Sequence, residues 1–263
     1  MRICMIGDVF GSNGRKALAN YLPMIKADFK PQLIIVNGEN IAGGFGLTEA
    51  LYKELKQMNV NVITMGNHTF SKREVIDFMD DATIVRPANY GEGVPGKGIY
   101  TFKFNDQTVS VINMMGRIFM GDPLKNPFTL IDEILDELNS DIIIVDFHAE
   151  ATSEKLAFGH YVDGRVTAVL GTHTHVPTND AMILPKGTYY ITDVGMTGSR
   201  YSILGAKLET QLRKFKTGMP ARIEEDKSEV LQLNAVLIDT DKKTINPVQY
   251  FSNERRSQHG KRL

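Results

Sequence analysis

Two closely spaced histidines follow one of the apolar runs of this chain and could bind a transition metal. They lie in Gly171-Thr172-His173-Thr174-His175, directly after the apolar run 167–170. A strand ending at this point would place two imidazoles close together at the edge of a sheet, a common arrangement in metal sites. One such pair is only suggestive, so the positions of the other polar residues decide the interpretation.

Several other polar residues also stand at the carboxyl ends of apolar runs: Asp8, Glu39, Asn40, Asn67, His68 and His148. Glu39 follows a continuous apolar run, where a carboxylate is costly unless something such as a metal ion compensates its charge. Taken alone, Asp8 suits a turn or a helix cap, and His148 could be structural. Four of the six histidines nevertheless lie at or just beyond the carboxyl end of an apolar run. The other two, His160 and His259, do not, and we predict that both are surface residues.

Composition argues against several classes of protein. Thirty Lys and Arg face 31 Asp and Glu, a net charge of −1, which gives no sign of stable nucleic-acid binding or of a membrane surface. The single cysteine, Cys4, excludes an internal disulfide and reads as a small buried hydrophobe. The chain opens directly into a strand pattern, and no apolar run approaches the length of a membrane span. We therefore expect a cytoplasmic protein.

The elements that must position these residues can be read from apolar periodicity. Runs rich in Ile and Val predict buried strands at 2–7, 33–37, 60–65, 141–146 and 166–171. Helical spacing predicts helices at 15–30, 48–58, 128–138, 153–161 and near 207–216, and alternation predicts a hairpin at 99–104 and 108–113. Further strands are predicted at 181–184, 188–192, 231–238 and 244–250.

This order of elements predicts an α/β fold with a mixed sheet flanked by helices and a second β layer. We expect a single domain over residues 1–251, followed by a polar, basic tail at 252–263. In open sheets of this kind, ligands bind beyond the carboxyl ends of the strands. The polar residues that end the apolar runs should therefore converge.

The motifs of this chain resemble those of a known superfamily. The segments Gly7-Asp8, Gly38-Glu39-Asn40, Gly66-Asn67-His68, His148 and Gly171-x-His173-x-His175 resemble, in type and order, the motifs of calcineurin-like metallophosphoesterases. Sequences at 7–11, 38–44, 66–69, 86–90 and 192–198 are similar to those of the bacterial YmdB-type branch, and the resemblance extends from residue 1 to about 250. It implies a four-layer α-β-β-α sandwich with mixed sheets.

The resemblance also implies two divalent or trivalent transition-metal ions, with iron expected first and manganese or zinc as alternatives. One ion would take Asp8, Glu39, Asn40 and His175, and Glu39 would bridge to a second ion held by Asn67, His148 and His173. Three departures stand out. Phe10 replaces a ligand histidine, Glu39 replaces a bridging aspartate, and Thr69 stands where a carboxylate usually follows the motif histidine.

Such a centre would polarise a phosphoryl oxygen and activate a bridging hydroxide for attack. His68 would donate a proton to the leaving group, or would only orient a ligand. The resemblance points to hydrolysis of 2′,3′- and 3′,5′-cyclic nucleotides. A nuclease, a phosphomonoesterase and a non-enzymatic metal-binding regulatory protein stay open as alternatives. We expect a small-molecule phosphodiester as the partner, and a homo-oligomer is compatible with the sequence.

Three further segments are weaker candidates for contacts with phosphate. The glycine-rich stretches 11–14 and 43–46 could present backbone amides to phosphate, although the turn-forming tendency of glycine accounts for them equally well. The segment 193–200 could line the pocket, with Arg200 as a phosphate contact.

Overall fold

Two β-sheets lie face to face in the computed structural model, which describes residues 1–121 and 124–252. Among these residues, the strands are β1 (Arg2–Ile6), β2 (Asp8–Val9), β3 (Leu33–Asn37), β4 (Val62–Thr64), β5 (Ile84–Val85), β6 (Ile99–Phe104), β7 (Gln107–Met115), β8 (Ile142–His148), β9 (Ala168–Thr172), β10 (Met182–Ile183), β11 (Tyr189–Ile191), β12 (Met196–Ser199), β13 (Leu231–Asp239) and β14 (Thr244–Phe251). The α-helices are α1 (Gly11–Asp28), α2 (Glu49–Gln57), α3 (Pro127–Glu137), α4 (Thr152–Tyr161) and α5 (Leu208–Thr217), with a 3₁₀ helix at Arg73–Asp77.

The first sheet has the strand order β2-β12-β13-β1-β3-β4-β5, and β14 also pairs with β13. Its strands β1, β3, β4 and β5 are mutually parallel, while β13 is antiparallel to β1. The second sheet has the order β10-β11-β9-β8-β7-β6, with β7, β8, β9 and β11 parallel. Parallel strands end at one edge, so each sheet brings several loops together.

Side-chain alternation along the strands builds the layers. In β1, Ile3 and Met5 pack between the two sheets against residues such as Val111 and Ile144, whereas Cys4 and Ile6 face the helices. Leu18 of α1 belongs to the outer core of the first sheet, and Phe158 of α4 packs on the outer face of the second sheet. The predicted α-β-β-α sandwich with mixed sheets is therefore confirmed.

Most predicted elements lie where the sequence places them, and among these the largest shift of a boundary is at the start of α1. The prediction placed its start at residue 15, but the helix begins at Gly11. Its first turn is capped from far along the chain, because the Glu225 carboxylate accepts hydrogen bonds from the backbone N–H groups of Ser12 and Asn13. A local sequence pattern contains no trace of such a cap.

Other predictions have simple outcomes. Cys4 is fully buried, and burial raises the pKa of its thiol to about 12; His160 is exposed on α4, as predicted. Within the described ranges, no helix has the length and apolar character needed to cross a membrane. His259 and residues 253–263 of the predicted tail lie outside the described residues.

Candidate metal centre

All eight residues predicted for the site meet at one edge of the sandwich. The first sheet contributes the residues that follow β1, β3 and β4, and the second sheet contributes those at the ends of β8 and β9. A continuous set of contacts joins Asp8, Glu39, Asn40, Asn67, His68, His148, His173 and His175. The strand-end rule applied to the sequence therefore gave the correct convergence.

One group of ligand atoms surrounds His148 Nε2. This nitrogen lies 3.0 Å from Asn67 Oδ1, 3.0 Å from His173 Nδ1 and 3.2 Å from Glu39 Oε1. Ligand atoms of Glu39, His148 and His173 all lie within 4.8 Å of one another, close enough to hold one metal ion. These are the residues expected around the second ion.

A second group surrounds His175 Nε2. It lies 3.2 Å from Asn40 Oδ1 and 3.9 Å from Asp8 Oδ1. Asp8 is fully buried, and its Oδ1 has no hydrogen-bond partner among the described residues. A buried carboxylate oxygen without a partner is costly, so this group suits a cation; it holds Asp8, Asn40 and His175, three of the four residues expected around the first ion.

The tautomer of each histidine follows from its hydrogen bond on the side away from the centre. The Nδ1 of His175 lies 3.0 Å from the Leu204 carbonyl, and the Nε2 of His173 lies 3.1 Å from a Glu150 carboxylate oxygen. Both partners only accept hydrogen bonds, so these nitrogens carry the protons. The other nitrogens, His175 Nε2 and His173 Nδ1, therefore present lone pairs to the centre.

A series of buried hydrogen bonds indicates the tautomer of His148 in the same way. The Thr172 hydroxyl donates to Asp146 Oδ1 at 2.6 Å and lies 2.9 Å from His148 Nδ1. Asn37 Nδ2 donates to the other oxygen of Asp146 at 3.2 Å. Since the Thr172 hydroxyl donates to Asp146, its oxygen can accept a hydrogen bond from His148 Nδ1. In the neutral form that binds a metal ion, His148 would then present the lone pair of Nε2 to the centre.

With its histidines neutral, as metal ligands must be, the centre brings lone pairs together with no proton between them. His148 Nε2 faces Asn67 Oδ1, and His175 Nε2 faces Asn40 Oδ1, whose amide nitrogen donates to the Gly44 carbonyl at 2.9 Å. Two acceptors 3.0–3.2 Å apart repel each other unless a cation lies between them. The donor set is nitrogen and oxygen without thiolate, which suits a catalytic transition-metal site. The residues present therefore fit metal ions.

Electrostatics at the centre favours positive charge. Burial alone would lower the pKa of His148, but the nearby carboxylates, Glu39 first, raise it to about 9. Burial would raise the pKa of Glu39, yet His148 lowers it to about 2. Burial also raises the pKa of Asp8 to about 6, and burial followed by the field of His148 lowers the pKa of His173 to about 3. A pKa of about 3 keeps the His173 imidazole neutral near pH 7, as a histidine that binds a metal ion must be.

The loop after β9 holds its histidines in an unusual backbone conformation. His173 has φ 98° and His175 has φ 64°, values that cost energy in residues other than glycine and that cluster at functional sites. Asp193 Oδ2 accepts a hydrogen bond from the Thr174 backbone N–H at 3.0 Å and pairs with Lys155 Nζ at 2.7 Å. Lys155 also donates to the Thr172 carbonyl at 2.6 Å. This buried ion pair therefore fixes the loop on both sides of His173.

His68 lies beside the proposed ligands. Its backbone N–H donates to Glu39 Oε2 at 2.9 Å, and its Nε2 is 3.3 Å from Asn67 Nδ2. Its Nδ1 lies 3.3 Å from the Ser71 hydroxyl, and its ring packs edge-on against Phe45 with centroids 4.9 Å apart. Ser71 thus provides an orienting contact, where the superfamily pattern has a carboxylate directly after the histidine.

Two further residues have roles that their identity alone does not show. Phe10 packs edge-on against the ring of His175, with centroids 5.8 Å apart, so it supports an expected ligand at a position where the superfamily pattern has a ligand itself. Gly66 leaves space for the centre, because a Cβ there would overlap His148 Nε2 and Glu39 Oε2.

The structure corrects two phosphate-binding expectations. The first-turn amides of α1 are bonded to Glu225 and so do not face a phosphate. The Arg200 guanidinium stacks over the Phe251 ring, 3.8 Å from its centroid, and Arg200 does not line the cavity beside the centre. Sequence reasoning also missed Glu150, Thr172 and Lys155, because neither their residue types nor their positions distinguish them before the histidines are placed.

A protein family and several known proteins match this chain over nearly its whole length. The chain matches the YmdB-like protein family over residues 4–250. It is 52% identical over 254 residues to a 2′,3′-cyclic-nucleotide 2′-phosphodiesterase of Bacillus subtilis strain 168, covering 95% of each chain. The crystal structure of a novel phosphatase from Mycoplasma pneumoniae is 36% identical, with a TM-score of 0.90 over 97% of this chain and 95% of that one.

A more distant likeness concerns the fold alone. A Staphylococcus aureus protein assigned as a 5′-nucleotidase is 16% identical, with a TM-score of 0.59 over 94% of this chain and 53% of its own. The match over residues 4–250 and the 52% identity to a full-length relative both agree with the motifs found in the sequence. The chain therefore belongs to the YmdB-like protein family.

Proposed function

We propose that this protein is a phosphodiesterase that hydrolyses 2′,3′- and 3′,5′-cyclic nucleotides at a centre of two transition-metal ions, with iron expected first. Relatives named as phosphodiesterase or phosphatase confirm the prediction of a hydrolase. The Bacillus subtilis relative supports the cyclic-nucleotide substrate.

The observation that carries the metal proposal is that three imidazoles each have one nitrogen held on the outer side and turn the other toward the centre. Thr172, Glu150 and the Leu204 carbonyl each hold the outer nitrogen of one ligand histidine, an arrangement that fixes ligand tautomers in metal sites. Asp8, Glu39, Asn40 and His175 would hold one ion, and Glu39, Asn67, His148 and His173 would hold the other. Bound there, two ions would supply Lewis acidity toward the phosphoryl group and a water molecule of lowered pKa.

The protein's own residues must handle the leaving group. When the phosphodiester bond breaks, the departing alkoxide needs a proton, and His68 lies next to the centre and lines the cavity. Because Asn67 Nδ2 can only donate, His68 Nε2 accepts a hydrogen bond in this structure, and the imidazole must take up a proton before it can protonate the leaving group. Ser71 at Nδ1 and Phe45 against the ring orient the imidazole for this transfer.

A direct test compares wild type with His68→Ala and with His160→Ala, a matched control on the exposed surface of α4. The substrate panel contains both kinds of cyclic nucleotide, an aryl phosphodiester, a phosphomonoester and RNA, and metal content is measured in parallel. We expect two metal ions per chain in every variant, and a loss of about 10²–10⁴ in kcat only for His68→Ala. A wild-type protein that binds metal yet hydrolyses none of these compounds would refute the enzyme proposal.

A further inference from the structure

A cavity of about 350 Å³ opens directly beside the metal centre. Glu39, Asn40, His68 and His175 form one side of it, and α5 with its flanking loops forms another. This volume lies in the range of small-molecule sites. The lining also extends well beyond the proposed metal ligands, so the cavity has room for more than a phosphate group.

The first informative residue on the α5 wall is Gln211. It is 7% exposed, and its Nε2 has no hydrogen-bond partner among the described residues. Buried amide groups are nearly always hydrogen-bonded, so a buried donor without a partner is unusual in a folded protein. Gln211 lines the cavity, and because Nε2 itself is covered, its amide must turn toward a ligand there to find an acceptor.

The second informative residue is Phe215, one turn farther along the same face of α5. It lines the cavity but is 73% exposed. Leu204 and Ile223, which also line the cavity, are exposed as well. A flat aromatic ring with apolar neighbours offers a surface on which a planar heterocycle can stack.

We propose that Gln211 and Phe215 form a nucleobase subsite, in which the base stacks on Phe215 and an acceptor on its edge receives a hydrogen bond from Gln211 Nε2. This inference rests on the proposed function, because the phosphodiester group must occupy the metal end of the cavity. A nucleobase combines a planar apolar face with edge acceptors, the two properties that this wall complements. The enzyme then recognises the base as well as the phosphodiester.

The test uses two substrates that differ only in the base. One is adenosine 2′,3′-cyclic phosphate, and the other is the 2′,3′-cyclic phosphate of methyl β-riboside, which keeps the sugar and the phosphodiester. The metal-loaded variants are Phe215→Ala, Gln211→Leu and the control Leu212→Ala, a residue of α5 that is 46% exposed and does not line the cavity.

We expect Phe215→Ala to lower kcat/KM for the nucleotide by about 5- to 150-fold, the range for loss of one base–aromatic stack, mainly through KM. Gln211→Leu should lower it by about tenfold. Both variants should hydrolyse the methyl riboside compound within about twofold of wild type, and Leu212→Ala should resemble wild type on both substrates. Phe215 is exposed, so its variant keeps the test valid even where Gln211→Leu does not fold.

Three results would overturn the inference. If the Phe215 variant treats the two substrates as wild type does, the ring does not contact the base. If the losses are equal on both substrates, the wall serves the sugar, the phosphate or the fold. If the wild type hydrolyses neither substrate, the proposed function itself fails, which is a different outcome from the first two.

Discussion

The buried pair of Lys155 and Asp193 gives the most direct test of how the fold holds the histidine loop. The side chains of Lys155 and Asp193 are 1% and 0% exposed, with Nζ and Oδ2 2.7 Å apart. Lys155→Met keeps most of the apolar stem but leaves the Asp193 carboxylate buried without its cation. It also removes the donor to the Thr172 carbonyl.

Breaking one side of a buried ion pair typically costs about 3–5 kcal/mol of unfolding free energy. Asp193 keeps hydrogen bonds from the backbone N–H groups of Thr174 and Gly195, so we expect the lower half of that range. At roughly 2 °C per kcal/mol for a chain of this size, the thermal midpoint should fall by about 6–8 °C.

The assay is far-UV circular dichroism in urea and on heating, because the chain contains no tryptophan. Lys53→Met is the matched control, since Lys53 forms an exposed pair with Glu49 at 2.6 Å and such pairs contribute about 0–1 kcal/mol. Metal content should also fall in Lys155→Met, because the loop carries His173 and His175. A loss of stability no larger than that of Lys53→Met would refute the assigned role of the pair.

Two further predictions concern the centre itself. Gly66→Ala should reduce metal content by at least one ion per chain, because the added Cβ would overlap His148 and Glu39. Gly91→Ala, which has open space around its Cβ, is the control and should keep the wild-type metal content. Elemental analysis measures both, and equal metal content in the two variants would contradict this geometry. Burial raises the pKa of Asp8 to about 6, so its carboxylate is ionised above that pH and becomes protonated below it. Metal affinity of the stripped protein, measured by calorimetry, should therefore fall about tenfold between pH 7 and pH 5 from Asp8 alone, and activity should decline below about pH 6; an affinity independent of pH would exclude Asp8 as a ligand.

The sequence predicted the convergence of the centre well because its residues follow strong local signals. Glu39 and His148 end or follow buried apolar runs, and parallel strands must bring such ends together. The contacts that orient the ligands could not be predicted, because Glu150 and Leu204 come close only after folding. The strands β2 and β12 were also missed. They have two and four residues, too few to show a period, and they form by pairing with each other.

Contacts between residues far apart in the sequence also limited the prediction of helices. The start of α1 depends on Glu225, 213 residues from Ser12, and no window of sequence contains both. The helix α5 was predicted near its observed position, but its role in the cavity was not. That role depends on which face of the helix turns toward the metal centre, and this is decided by tertiary packing.

The division of the ligands between the two sheets has a mechanical consequence. Asn67 follows a strand of the first sheet and His148 ends a strand of the second, 81 residues away. An ion shared by them would act as a removable cross-link between the layers. Because such an ion would bind the folded chain and leave on unfolding, it would stabilise the fold by an amount that rises with metal concentration, in a protein whose single cysteine cannot form an internal disulfide. Metal supply would then govern the lifetime of the folded chain as well as its catalysis.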